Sequence, residues 1–174
     1  GIIHFDKGNS YVRIISKSLN DTEEIGKAIA SVCENSGGLI CLYGSVGAGK
    51  TALAKSIGKH LGIEEKVTSP SFVILNEYHS GTIPMYHFDL YRLEKEGVST
   101  ILDELEEYGE DDHALTLVEW AEFSNDQLSK DRLDIRINYI DEDAREFCFE
   151  AYGDKHEKLY NKLKESLKSV FTGV

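Results

Sequence analysis

Hydrophobic residues along the chain follow two spacings, and each spacing predicts a different element. Short apolar or alternating runs bounded by turn residues predict β-strands. They lie at residues 11–16, 40–43, 72–78, 83–88, 114–118, 132–140 and 146–152. Apolar residues three or four positions apart predict helices. These helices begin near residues 20, 51, 100 and 154.

The ends of the first and last helices can be predicted from their flanking residues. Asn20 or Asp21 is the expected cap of the first helix, and Gly37-Gly38 is its expected end. The last helix is expected over residues 154–171. Its predicted buried face carries Leu159, Leu163, Leu167 and Val170. We treat residues 1–10 as disordered or as an expression remnant, because they show no pattern.

Two pairs of strands are separated by connections too short for a helical crossover. A short segment containing Ser80-Gly81 joins the runs at 72–78 and 83–88, and an acidic turn joins those at 132–140 and 146–152. Such spacing favours antiparallel hairpins. The predicted sheet is therefore mixed rather than fully parallel.

The strand at residues 40–43 leads directly into GSVGAGKT, and a helical pattern follows. This order of strand, glycine-rich loop and helix fits G-x-x-x-x-G-K-[ST], the phosphate-binding loop. Its backbone N–H groups and the helix N-terminus attract phosphate. Lys50 is expected to contact the β- and γ-phosphates, and the Thr51 hydroxyl to reach Mg²⁺. The predicted nucleotide-binding residues of the loop are Gly44, Ser45, Val46, Gly47, Ala48, Gly49, Lys50 and Thr51. The fold class follows: an α/β, P-loop NTPase-like single domain over residues 1–174, with a mixed, partly antiparallel sheet flanked by helices.

Two strands end in an acid, as a nucleotide-bound Mg²⁺ requires. Glu119 ends the apolar run LTLVE and is the predicted Mg²⁺ ligand. Asp89 ends MYHFD and is expected to bind Mg²⁺ or its water shell, or to orient the attacking water. With Lys50, these acids form the predicted catalytic set. His87, two residues before Asp89, is interpreted as a structural histidine.

Trp120 directly follows Glu119, and its interpretation is open between core packing and a position beside the nucleotide. The hydroxyls of Ser69 and Ser71 are open between turn residues and γ-phosphate contacts.

The composition limits the classes of partner. The formal net charge is −12, which repels nucleic-acid backbones, and the arginines do not cluster. Any RNA substrate is therefore expected to be held by another protein. No apolar run approaches the ~20 residues that cross a bilayer, so no membrane partner is expected. Three cysteines without metal-ligand spacing favour a reducing, cytoplasmic setting.

Several motifs agree in order and spacing with one family. They are the early helix with Thr22-Glu23, the loop at 44–51, TSPSF at 68–72, HFDLYRL at 87–93 and VEW at 118–120. On these motifs the chain resembles the TsaE (YjeE) family, small bacterial ATPases of tRNA N6-threonylcarbamoyladenosine (t6A) biosynthesis. The resemblance covers residues 10 to 150, and the helix predicted near the C-terminus lies beyond it. Ser71 stands where the family usually has Thr, which keeps the hydroxyl.

The resemblance implies a function and several site roles. It implies that Thr22 lies near the adenine, that Ser69 and Ser71 belong to a switch at the γ-phosphate, and that Asp89 and Glu119 serve Mg²⁺ and hydrolysis. The cofactors it implies are ATP and Mg²⁺. The implied partners are TsaB- and TsaD-type proteins, with tRNA contacted only through them. ATP hydrolysis would then support modification of adenosine 37, while the transfer chemistry belongs to the TsaD-type partner.

Three other classes share the phosphate-binding loop. A small-molecule or nucleotide kinase is the main alternative, although scarce arginines argue against a phosphate-clamping lid. A GTPase is less consistent, because no N-K-x-D motif is present. A module that binds nucleotide without hydrolysing it is the remaining class.

Overall fold

The computed structural model describes residues 1–5, 12–45, 47–68, 75–91, 102–124 and 128–173. The strands within these ranges are β1 (Ile2–Phe5), β2 (Val12–Ser16), β3 (Gly38–Tyr43), β4 (Leu75–Tyr78), β5 (Met85–Asp89), β6 (Leu115–Glu119), β7 (Arg132–Tyr139), β8 (Arg145–Tyr152) and β9 (Thr172–Gly173). The helices are α1 (Leu19–Cys33), α2 (Lys50–His60), α3 (Leu102–Gly109), the 3₁₀ turn Ala121–Ser124 and α4 (Asp154–Lys168).

The nine described strands form one mixed sheet in the order β4-β5-β6-β3-β7-β8-β2-β1-β9. β5, β6, β3 and β7 are mutually parallel, whereas β4 and β8 join this group through antiparallel pairs. Both predicted hairpins are therefore confirmed, as is the mixed α/β fold class. Because β5, β6 and β3 are parallel, their carboxyl ends meet at one edge of the sheet.

Hydrophobic cores lie on both faces of the sheet. On one face, apolar side chains of α1, α2 and α4 pack on strand residues such as Ile40, Leu117 and Ile135. On the other face, Leu105 of α3 and Ala121 of the 3₁₀ turn pack on Cys41, Phe88 and Val118. The central strands are thus buried on both sides, which explains why their sequences are continuous apolar runs.

A close contact between α1 and α2 determines where the first turn of α1 lies. A Cβ atom on Gly26 would fall 2.2 Å from Ser56 Oγ, so only glycine permits this approach. The Ser56 hydroxyl donates to the Glu23 carbonyl at 2.8 Å. This contact brings Thr22 of α1 and Thr51 of α2 onto the same cavity.

Local predictions at the helix ends needed correction. The N-cap of α1 is Ser18, whose Oγ accepts from the Asp21 N–H at 3.2 Å; it is neither Asn20 nor Asp21. Asp21 instead accepts from the Lys17 N–H at 2.9 Å. At the other end of the chain, α4 stops at Lys168, so Val170 lies beyond it and is exposed rather than buried.

The treatment of the first residues as structureless was also wrong in part. Residues 2–5 form β1, which pairs antiparallel with β2 and parallel with β9. Ile3 is fully buried there. Residues 6–10 lie outside the described ranges.

None of the helices described here is long and apolar enough to pass through a bilayer.

Candidate active site

The phosphate-binding loop connects β3 to α2 with backbone conformations that favour glycine. Gly47 and Gly49 have φ of 82° and 114°, where an L side chain is strained. A Cβ on Gly44 would lie 2.6 Å from the Ile137 carbonyl oxygen, so no side chain fits there. Within the loop, the Ala48 N–H donates to the Ser45 carbonyl at 3.1 Å. Val46 lies outside the described residues.

Lys50 is the first residue of α2, and its side chain is buried. Its ammonium donates to the Gly44 carbonyl at 2.6 Å and lies 3.6 Å from the centroid of the Trp120 ring. Burial lowers the pKa of Lys50, while the carboxylates of Glu119, Glu122 and Asp89 oppose that shift. The charges of both predicted site acids therefore act on the loop lysine.

Asp89 and Glu119 end neighbouring parallel strands and are register partners. Their side chains share one face of the sheet because the residues pair directly. Glu119 is buried, and its Oε2 lies 2.6 Å from Nε2 of His87. Asp89 is half-buried, and its Oδ1 accepts from the Tyr91 N–H at 3.0 Å. The two acids predicted from the sequence thus lie beside each other, and the sequence gave no sign of the contact with His87.

Trp120 is the only described non-glycine residue with a positive φ, 56°. This left-handed conformation follows the last residue of β6 directly and ends the extended backbone. Its indole stacks on Phe123 at 5.7 Å and lies 5.0 Å from the ring of Tyr91. Trp120 is therefore both packed in an aromatic cluster and in contact with Lys50.

Two cavities flank the first turn of α2 on the side of α1. One, of about 510 Å³, is lined by Thr22 and Thr51. The other, of about 250 Å³, is lined by Thr22, Gly49 and Arg145. The Thr22 hydroxyl hydrogen-bonds to that of Ser16 at 3.0 Å. The structure thus brings Thr22 beside the first turn of α2.

A third cavity, of about 530 Å³, lies at Gly44 and Ser45, where Trp120 forms part of its lining. Arg136 lines it as well, and its guanidinium lies 4.6 Å from the ring of Tyr43.

Arg145 is a candidate that sequence analysis missed. It begins β8, and Nη2 lies 3.5 Å from the Gly47 carbonyl oxygen of the loop. Its Nη1 donates to backbone carbonyls of its own turn, including that of Ala144 at 2.9 Å. Across the described ranges, no carboxylate forms an ion pair with it. A single arginine after an acidic turn carries no sequence signal for such a place, because the hairpin register brings it there.

Two other candidates, Ser69 and Ser71, lie outside the described residues.

The donor set suits Mg²⁺ better than a metal held by protein alone. Within the described ranges, no three His, Cys, Asp or Glu side chains are grouped closely enough to hold a metal. Mg²⁺ bound with a nucleotide needs only one or two carboxylates besides phosphate oxygens. The Thr51 hydroxyl at the start of α2 and the paired acids Asp89 and Glu119 fit that requirement.

Together, the sheet order and the glycine-rich connection define an α/β protein of the P-loop-like fold. The chain belongs to the TsaE family: the model of the threonylcarbamoyl adenosine biosynthesis protein TsaE matches residues 16–147.

Individual relatives agree with that family. The chain is 39% identical over 143 residues to the tRNA threonylcarbamoyladenosine biosynthesis protein TsaE of Bacillus subtilis, covering 82% of this chain and 87% of that protein. It is 38% identical over 120 residues to the protein of that name from Streptomyces coelicolor, covering 66% and 77%. A crystal structure of Bacillus subtilis YdiB matches with a TM-score of 0.73 and 34% identity, over 89% of this chain and 95% of that one.

Proposed function

We propose that this chain binds and hydrolyses Mg-ATP, and that it does so as an accessory subunit of a TsaB–TsaD-type complex in t6A biosynthesis. The family supplies the pathway. The hydrolytic activity, the cofactors ATP and Mg²⁺, the partners and a cytoplasmic location are parts of this proposal.

The observation that carries the proposal is the buried Lys50 ammonium, which contacts the loop carbonyl of Gly44 and is subject to the charges of two acids. These acids are Asp89 and Glu119. A cation beside a turn of backbone N–H groups attracts phosphate oxygens, and nearby carboxylates attract the accompanying dication. A glycine-rich turn with only a structural role would not need a buried lysine at its end.

Each site residue then has a separate role in the proposed hydrolysis. Lys50 contacts the β- and γ-phosphates, while the Thr51 hydroxyl and Glu119 hold Mg²⁺. Asp89 lies beside Glu119, where it binds the water shell of the metal or orients the attacking water. When bound, Mg²⁺ neutralises charge that develops on the transferred phosphoryl group.

The base of the nucleotide is assigned to the side of α1. Thr22 and Arg145 line the small cavity next to Gly49, so an adenine there would meet the Thr22 hydroxyl and the Arg145 side chain. The guanidinium already lies 4.6 Å from the ring of Tyr139, and its planar group can also contact a bound base. Arg145→Gln should therefore weaken ATP binding, measured by calorimetry, without abolishing it.

The proposal that partner proteins are required follows from the net charge of the chain. With a net charge of −12, the free chain would repel tRNA over most of its surface. A partner that holds the tRNA removes this obstacle. A partner can also supply or order a cation at the γ-phosphate, and such a cation can accelerate phosphoryl transfer about 10³–10⁵-fold.

The test is steady-state phosphate release from the purified chain, alone and with TsaB- and TsaD-type proteins of the same organism. We expect slow release alone and a changed rate with both partners. Fast hydrolysis that neither partners nor tRNA affect would refute the partnership and leave an ATPase. No hydrolysis under any condition would refute the activity itself.

A kinase is the second candidate, because the third cavity could hold a phosphoryl acceptor next to Trp120 and Arg136. Thin-layer separation of products from labelled ATP distinguishes the two. Free phosphate supports the ATPase, whereas a labelled acceptor supports the kinase.

A further inference from the structure

Two buried polar side chains from neighbouring strands meet below the candidate metal site. His87 of β5 is fully buried, and Glu119 of β6 is 3% exposed. The imidazole Nε2 and the carboxylate Oε2 are 2.6 Å apart. This is a short hydrogen bond between groups that have little contact with water.

The strand register explains how His87 reaches this acid. In the parallel pair, His87 lies opposite Leu117, and Asp89 lies opposite Glu119. Alternate residues of a strand point to the same face, so all four side chains lie on one side of the sheet. His87 is therefore one step below Asp89 and reaches diagonally to Glu119.

The contact is not explained by core packing alone. A carboxylate has no hydrogen to donate, so Nε2 carries the hydrogen of this bond. The other ring nitrogen, Nδ1, is buried and has no hydrogen-bond partner among the residues that the structure describes. An unsatisfied buried polar atom costs free energy that an apolar side chain would avoid. The neighbours on this face, Met85 and Leu117, are apolar.

We propose that His87 is a positioning residue, which holds the carboxylate of Glu119 in the orientation that binds the nucleotide-associated Mg²⁺. The inference rests on the proposed function of the site. With Oε2 held by the imidazole, Oε1 is the oxygen left for the metal or its water. Hydrogen bonds to a metal ligand commonly change metal affinity about 10–100-fold.

Three variants distinguish a role of His87 in orienting Glu119 from a role in core packing alone. His87→Gln keeps an N–H near the position of Nε2, His87→Asn keeps a polar group that is too short to reach Glu119, and His87→Leu fills the space without a donor. The readout is the affinity of the ADP complex for Mn²⁺, used as a probe and measured by electron paramagnetic resonance. Calorimetry of ADP without metal and thermal unfolding serve as controls.

We expect the Asn and Leu variants to bind Mn²⁺ at least about 10-fold more weakly than the wild type. The Gln variant should stay within about 3-fold of the wild type, and the affinity for metal-free ADP should not change. This rescue by Gln is the result that a purely structural histidine would not give.

Other outcomes overturn the inference. It is wrong if the Asn variant keeps the wild-type Mn²⁺ affinity, or if the Gln variant loses as much Mn²⁺ affinity as the Leu variant. It is also wrong if the affinity for metal-free ADP falls together with the Mn²⁺ affinity. If the Leu variant does not fold, the difference in Mn²⁺ affinity between the Gln and Asn variants still tests the inference. Failure of the wild-type ADP complex to bind Mn²⁺ would remove the proposed function as well, which distinguishes the two failures.

Discussion

His156 connects the helix beyond the family match to the strand that carries the phosphate-binding loop. Its Nε2 accepts from the buried Leu39 N–H at 2.8 Å, near the start of β3. Its Nδ1 lies 2.7 Å from Asp131 Oδ1, which also accepts from the His156 N–H at 3.0 Å. The ring is therefore neutral in this arrangement, because Nε2 must be free of hydrogen to accept.

Replacement of His156 by Leu should destabilise the protein measurably. It leaves the buried Leu39 N–H without an acceptor, at a cost of about 1–3 kcal/mol, and removes the bond to Asp131, worth about 1 kcal/mol. A total of about 2–4 kcal/mol corresponds to a fall in Tm of about 4–16 °C for a chain of this size. His156→Gln is the matched control, since its amide oxygen can still accept from Leu39.

The pH dependence of stability provides a second, independent measure. Burial lowers the pKa of His156 from its ordinary value of 6.5, with Asp131 opposing and Lys155 reinforcing the shift. The unfolded state therefore binds a proton at a pH where the native ring does not. The stability from this group is complete above about pH 6.5 and is lost as pH falls through the lowered pKa, at up to about 1.4 kcal/mol per pH unit.

Urea unfolding at several pH values between 8 and 5 tests both the loss of stability on replacing His156 and the pH dependence of stability. We expect the wild type to lose stability below about pH 6.5, and His156→Gln to lose less over the same interval. Equal pH slopes for the two proteins would refute the assignment of the titrating group. A Leu variant within about 0.5 kcal/mol of the wild type, the usual effect of a surface substitution, would refute the stabilising contact between His156 and Leu39.

The remaining predictions concern the nucleotide site. Lys50→Ala should weaken Mg-ATP binding at least about 10-fold, because a charged hydrogen bond is lost; calorimetry should find Lys162→Ala, an exposed change on α4, close to wild type. Asp89→Asn and Glu119→Gln should each keep part of the nucleotide affinity while hydrolysis falls by about 10²-fold or more, and wild-type phosphate release from both would show that neither acid serves the reaction. Trp120 emission should change on ATP addition because its ring contacts Lys50; a flat titration under saturating binding would contradict this.

Sequence patterns predicted the elements that have strong local signals and missed those that depend on distant contacts. The apolar strand before Gly44 and the helix starting at Lys50 were both found, because the loop fixes their boundary. By contrast, β9 has two residues and exists only through its pairing with β1. No window of sequence contains that information.

The site shows the same division between local and distant signals. Asp89 and Glu119 are predicted as site residues because each ends an apolar strand, a pattern visible in the sequence. The contacts of Glu119 with His87 and of Gly47 with Arg145 join residues 32 and 98 positions apart. They follow from sheet register, which a single sequence does not specify.

The left-handed backbone at Trp120 is a source of local strain at the site. For an L residue this conformation costs about 1–2 kcal/mol relative to the right-handed or extended regions. The contact of its ring with the Lys50 ammonium is worth about 0.5–2 kcal/mol. The contact therefore offsets much of the backbone cost, and the stacking of the ring on Phe123 adds to that compensation. Replacing Trp120 by glycine would remove the backbone cost together with the ring contacts that offset it.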